Sequence, residues 1–254
     1  MLQRLKQAGL IWPTLATLLA FGMLLSLGTW QMQRKQWKED LIAKIAARVA
    51  AEPVALAQAE EQRRAGGDID YLHVSARGSL LHDKERYLYA PDQTAGLGWH
   101  IYTPLQLAPG RILWVNRGWV PDAAKAPSAR TAGQLQGEIE VRGLLRLPEA
   151  PGRFTPVNDA ARNQWFWRDP VGMTASTFAP GSVEALPLVL EADARPEPPG
   201  GLPRGGVTRL ELPNRHLEYA VTWYGLALTL IGVYLAFAST HLGLLGQGGR
   251  GNSP

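Results

Sequence analysis

The chain carries no Asp, Glu, Lys or Arg between residues 8 and 33, and none between residues 219 and 249. An α-helix rises about 1.5 Å per residue, so roughly 20 apolar residues cross the hydrocarbon core of a bilayer. Residues 10–30 and 219–239 both meet that length. Nearly all of the 26 basic and 22 acidic side chains lie between these stretches, in a polar middle long enough to bury a core of its own. Such a chain is neither a plain soluble globule nor a polytopic transporter.

The first stretch has interfacial aromatics at both ends. Trp12 and Trp30 would lie about 27 Å apart along a helix. Pro13 falls in the first turn, where its missing N–H costs least. A cleaved signal peptide is the competing reading, with Arg4 and Lys6 as its basic start and Ser26-Leu27-Gly28 as its cleavage site. The apolar run exceeds the usual core of about 7–15 residues, which favours an uncleaved anchor. The second stretch is entered at Tyr219, Trp223 and Tyr224. A buried helix of a soluble domain could look the same, but two such segments, one at each end, argue against it.

Two spans put both termini on one side. Arg4 and Lys6 favour a cytoplasmic start, while Arg34, Lys35 and Lys38 lie just past the first span. Long loops are translocated largely regardless of charge, so the middle is expected outside the cytoplasm. No Arg- and Ser-rich transit segment precedes the first span, which makes a bacterial plasma (inner) membrane the simpler home. The expected organisation is a cytoplasmic N-terminus 1–9, a transmembrane helix 10–30, an extracytoplasmic domain 31–213, a second transmembrane helix 214–242 and a cytoplasmic tail 243–254.

Within the middle, residues 37–49 place Trp37, Leu41, Ile42, Ile45 and Val49 at helical spacing, predicting a helix that continues or restarts after the first span and ends near Pro53. Residues 71–80, 85–90, 99–107, 111–119, 138–147, 164–168 and 186–191 read as strands. Gly78, Pro91-Asp92 and Ala108-Pro109-Gly110 read as the punctuation among the first four. Residues 170–178 read as a short helix with Asp169 as cap and Pro170 at its first position. The arm 193–206, with Pro196, Pro198, Pro199, Pro203 and four glycines, reads as an unpacked linker. The fold class expected is membrane-anchored α+β, with two transmembrane helices flanking one antiparallel β-rich domain with minor helices.

Several chemistries are excluded. The chain has no cysteine, so disulfides, Cys-ligated zinc, iron–sulfur clusters and thiol catalysis are out. The net charge of +4 is dispersed, with no basic run that would suit nucleic acid. His73, His82 and His100 lie among the strands near Ser75, Ser79 and Asp83, without a nucleophile elbow, phosphate loop or dinucleotide fingerprint. The methionines are scattered and do not form a soft-metal site with any histidine cluster. No enzyme is expected.

His216 is the residue that stands out. It lies in Asn214-Arg215-His216-Leu217-Glu218-Tyr219-Ala220-Val221-Thr222-Trp223, at the edge of the second span, with Asn214 as a helix cap. Tyr219, Ala220 and Trp223 follow at i+3, i+4 and i+7, on the same face. An imidazole beside a small residue and flat aromatics can ligate haem iron. A polar interfacial histidine bonded to a loop is the commoner occurrence of such a residue.

With these blocks in place the chain resembles the Surfeit locus protein 1 family, assembly factors of haem–copper cytochrome c oxidase. The resemblance is carried by Leu27-Gly28-Thr29-Trp30-Gln31-Met32-Gln33-Arg34 with Trp37-Lys38, by residues 74–78, and by Gly98-Trp99-His100-Ile101-Tyr102-Thr103-Pro104-Leu105. Val115-Asn116-Arg117-Gly118-Trp119-Val120-Pro121 and the His216 block complete it. The resemblance implies two spans, an outer domain, and a role in assembling oxidase subunit I around insertion of haem a. It implies His216 as a haem a ligand, flanked by Tyr219 and Trp223, with the bilayer and haem a synthase as further partners. A cofactor-free scaffold for nascent subunit I, using the nine tryptophans as interface residues, is the alternative. Arg117, Trp119 and Trp30 are candidate contacts to a haem propionate or partner carboxylate. More often such an Arg satisfies a local carboxylate or backbone carbonyls, and Gly118 would permit a turn before Pro121.

Overall fold

After Pro13 the sequence has no proline until Pro53, and nothing in between breaks a helix. The computed structural model, which describes residues 8–92, 94–208, 210 and 213–243, accordingly shows one continuous helix α1, Ile11–Ala50, of 40 residues. The expected terminal segments 1–9 and 243–254 fall outside the described residues, apart from Ala8, Gly9 and Gly243. The remaining elements follow in order: β1 Val54–Ala55, α2 Leu56–Arg64, β2 His73–Leu80, β3 Arg86–Tyr89, β4 Gly98–Ala108, β5 Arg111–Pro121, β6 Glu138–Arg146, α3 Pro170–Thr177, β7 Glu184–Ala192 and α4 His216–His241. The chain divides into two compact units, Met1–Lys44 with Glu211–Pro254, and Ile45–Leu210.

The second unit is a closed barrel. Strands β2, β6, β7, β5 and β4 pair in that order, and β2 pairs again with β4 to close the ring. Alternation along the strands sends one set of side chains inward. Val74, Ala76, Leu105, Leu113, Val115, Leu145, Leu186, Leu188 and Leu190 form that interior, joined by Leu56 and Ala59 of α2. A second layer lies on the opposite face of the same strands, where Ile112, Trp114 and Val189 pack with Tyr102, Trp165 and Met173 of α3. Burial on both faces explains why β5 reads as a near-continuous apolar run. Asp169 caps α3 as expected, its carboxylate accepting from Gly172 N–H at 2.9 Å.

The structure corrects several expectations. The sheet is mixed, because β5 pairs β7 and β1 pairs β2 in parallel, while the other pairs are antiparallel. Residues 164–168 form no strand. Asn163 takes a positive φ of 52°, and Pro170 opens α3, so only isolated bridges form, from Gln164 to Asp159 and from Trp165 to Leu88. Gly78 is not a turn residue. It lies inside β2, where a Cβ would overlap the Gln106 carbonyl at the point of barrel closure. Gly118 also lies within a strand, with φ 122°, because the Arg204 carbonyl occupies the space of its missing side chain. Arg204 and Trp119 exchange two backbone hydrogen bonds at 2.8 and 2.9 Å. The arm 193–206 is therefore packed structure, and Leu202 adds to the cluster of Trp99, Ile101, Val120 and Ala124. Helix α2 was not foreseen.

The two ends of the sheet are short or covered. Strand β1 has two residues. The outer side of β3 is bonded to the chain at Trp165, with Tyr89 N–H donating to its carbonyl at 2.7 Å and its N–H donating to Tyr87 O at 3.0 Å.

Candidate functional site

The first unit pairs α1 with α4. Both helices are long and apolar enough to cross a membrane, and only 6% and 11% of their most apolar windows is buried. A soluble core helix would be mostly buried, so this exposure sets them apart. The helices run antiparallel, as three side-chain pairs show: Thr14 with Tyr234, Thr29 with Tyr224 at 3.2 Å, and Gln31 with His216 at 2.7 Å. Small residues let the backbones approach. Ala220, Ala227 and Ala238 are buried on α4, and the Tyr224 ring covers Gly28, where a Cβ would come within 2.6 Å of it. From His216 to Tyr234 the helix rises about 27 Å, close to a hydrocarbon core of about 30 Å.

His216 is the first residue of α4 and is half-buried. Arg215, not Asn214, occupies the cap position, and it makes no side-chain cap bond. Asn214 Oδ1 is buried without a partner among the described residues, so the expected cap is absent. Arg215 instead pairs with Glu218 at 2.8 Å across the first turn. The His216 Nδ1 faces Gln31 Oε1, and among the described residues Nε2 has no hydrogen-bond partner. Tyr219 and Trp30 are about half exposed, and Trp223 is half-buried. These four candidates thus all belong to the helix pair.

Arg117 and Trp119 belong to the barrel unit, where both have internal partners. Arg117, 8% exposed, donates to Glu85 at 3.2 Å and to the Gly133 carbonyl. Arg130 forks onto the same carboxylate. Burial opposes ionisation of Glu85, but His82, Arg130 and Arg117 outweigh it and hold the carboxyl below its ordinary range. Burial and the neighbouring Arg130 lower the Arg117 guanidinium to about 10, against the pull of Glu85. The Trp119 indole N–H donates to Ala90 O at 2.7 Å, and the Arg204 guanidinium lies 4.6 Å from its ring.

The other barrel histidines are engaged structurally. His73 bonds Ala51 O through Nδ1 and Asp193 through Nε2, both at 2.8 Å. Burial disfavours its cation, but these two acceptors prevail and raise its pKa. His82 bonds Leu135 O at 2.7 Å. Among the described residues no group of three or more His, Cys, Asp or Glu could hold a metal ion. The His216 imidazole, with Nε2 unpartnered among the described residues, is the one group at this site of the chemical type that would hold haem iron.

Sequence reasoning missed Gln31 and Glu85. Gln31 follows the apolar stretch 10–30 directly, so a polar amide at that boundary was a visible signal. Nothing local in the sequence marks Glu85 as the carboxylate that Arg117 meets.

The chain thus carries a small closed barrel between two helices long and apolar enough to cross a membrane, with an imidazole at the start of the second. The chain belongs to the SURF1 family, whose pattern matches residues 18–228. It is 35% identical over 242 residues to a SURF1-like protein of Monosiga brevicollis, covering 91% of this chain and 88% of that one. It is 38% identical to Surfeit locus protein 1 of Homo sapiens (82% of this chain, 70% of that one) and of Gallus gallus (79% and 67%).

Proposed function

We propose that this chain is an assembly factor for haem–copper cytochrome c oxidase that binds haem a through His216 and supports its insertion into subunit I. Members of the SURF1 family are generally cytochrome oxidase assembly factors, which supports the broader half of this reading. The observation that carries the finer half is the His216 ring, bonded at Nδ1 by Gln31 and without a partner at Nε2 among the described residues. Haem a supplies the redox-active iron; the chain's own part is to hold and orient it. His216 would supply the ligand nitrogen, while Tyr219 and Trp223, three and seven residues on, would offer flat apolar surface to the macrocycle. The exposed apolar faces of α1 and α4 suit lipid, which supports membrane anchoring; a bacterial inner membrane with the barrel outside the cytoplasm is the location that goes with this reading. Haem a synthase, as donor, and subunit I, as acceptor, are the corresponding partners.

The test is the absorption spectrum of the full chain purified from cells that make haem a. The wild-type protein is expected to carry a Soret band, and His216→Ala to lose it. Equal haem in both removes His216 as ligand. Haem-free protein that still restores oxidase to a deletion strain establishes the cofactor-free scaffold instead.

A further inference from the structure

A neutral imidazole has one N–H and one lone pair, and only the nitrogen with the lone pair can bind iron. In His216 the choice between them is made by a neighbour. The atom 2.7 Å from Nδ1 is the amide oxygen of Gln31, which can only accept a hydrogen bond. The proton therefore sits on Nδ1, and Nε2 keeps its lone pair. The acceptor lies on a helix, and the Tyr224 ring seated on Gly28, with the Thr14–Tyr234 pair further along, sets its register against α4.

We propose that Gln31 is the positioning residue of this site: it fixes the tautomer and ring orientation of His216 so that Nε2 is presented to haem iron. The inference rests on the haem-binding reading above. Ligating histidines almost always donate their second N–H to such an acceptor, and the acceptor's charge tunes the metal. Gln31 is uncharged, so it orients the ring without pushing it toward imidazolate. A neutral acceptor also costs less than a carboxylate at the boundary of an apolar span. A neutral imidazole so oriented would give a grip suited to a cargo that must be passed on.

The experiment titrates ferric haem (haemin) into the full chain in lipid nanodiscs, reading affinity from the Soret band and midpoint potential by spectroelectrochemistry. Gln31→Leu is expected to weaken binding about 10–100-fold, as loss of such a partner does at other metal sites. Gln31→Glu keeps the acceptor, so binding is retained. Its negative charge enriches the ring and favours ferric iron, so the midpoint potential falls. Thr29→Val removes a polar pair of the same helix seam and leaves haem affinity unchanged. Wild-type affinity in Gln31→Leu, an unmoved potential in Gln31→Glu, or equal weakening in Thr29→Val would each overturn the assignment. If His216→Ala binds haemin like the wild type, the haem reading itself has failed; if it alone loses binding, only the role of Gln31 has.

Discussion

Glu85 is a buried carboxylate at the centre of a charge cluster in the barrel unit. It is 4% exposed and faces two buried guanidiniums, Arg130 through two hydrogen bonds and Arg117 through one. Replacing it with Gln keeps the shape and removes the charge, leaving two cations buried with no counter-ion between them. Breaking a buried pair from one side costs about 3–5 kcal/mol. For a domain of this size each kcal/mol moves the melting temperature by about 2–4 °C, so Glu85→Gln should melt about 6–20 °C lower. The assay is near-UV circular dichroism of the full chain in detergent, heated at pH 7 and across an acid series. Because the native pKa of Glu85 is depressed, its stabilisation is complete above the ordinary carboxylate value and is lost as pH falls through the native value. The variant should therefore show a flatter acid limb than the wild type. A loss below about 1 kcal/mol at neutral pH, in the range of an exposed pair, would refute the claim that this cluster is a buried charge centre.

Gly118→Ala forces a side chain into the space of the Arg204 carbonyl at φ 122°, and should cost at least about 3 kcal/mol while unpairing the arm; hydrogen exchange at Trp119 and Arg204 that stays slow would contradict this. Gly28→Val drives a branched side chain into the Tyr224 ring and should separate the helix pair, read as faster proteolysis of the full chain in nanodiscs; unchanged resistance speaks against the packing described. His73 has a raised native pKa, so its contribution is fully present below about 6.5 and fades as pH rises through the native value. His73→Asn should narrow the stability gap between pH 5.5 and 8.5 measured by urea unfolding, and an identical gap would exclude the Asp193 and Ala51 bonds as its source.

Local patterns carried much of this fold. The apolar spans, six of the seven strands read from the sequence, and the Asp169-Pro170 start of α3 were legible because period, β-branched content and capping chemistry are short-range properties. What was misread depends on partners distant in sequence. Gly78 and Gly118 look like turn residues until β4 and the arm are placed beside them. The parallel pairing of β5 with β7 is a decision of topology that no strand's own residues announce. The proline-rich arm looked unpacked because its contacts, among them backbone pairing with Trp119, the Asp193–His73 bond and Leu202 on a distant cluster, are made with residues remote in sequence. At the candidate site, His216 was visible as a chemical type at a helix edge. Its orientation by Gln31 was not, since that bond spans 185 positions of sequence.

The treatment of the sheet's flanks bears on how the barrel can handle another polypeptide. The ring of five strands leaves β1 and β3 as the two ends of the sheet; β1 is two residues long, and Trp165 already occupies the far side of β3. At these two flanks strand addition, by which many chaperones hold an unfolded client through its main chain, has little free rail. A polypeptide docking there would be read through side chains, by shape and chemistry rather than as any extended segment.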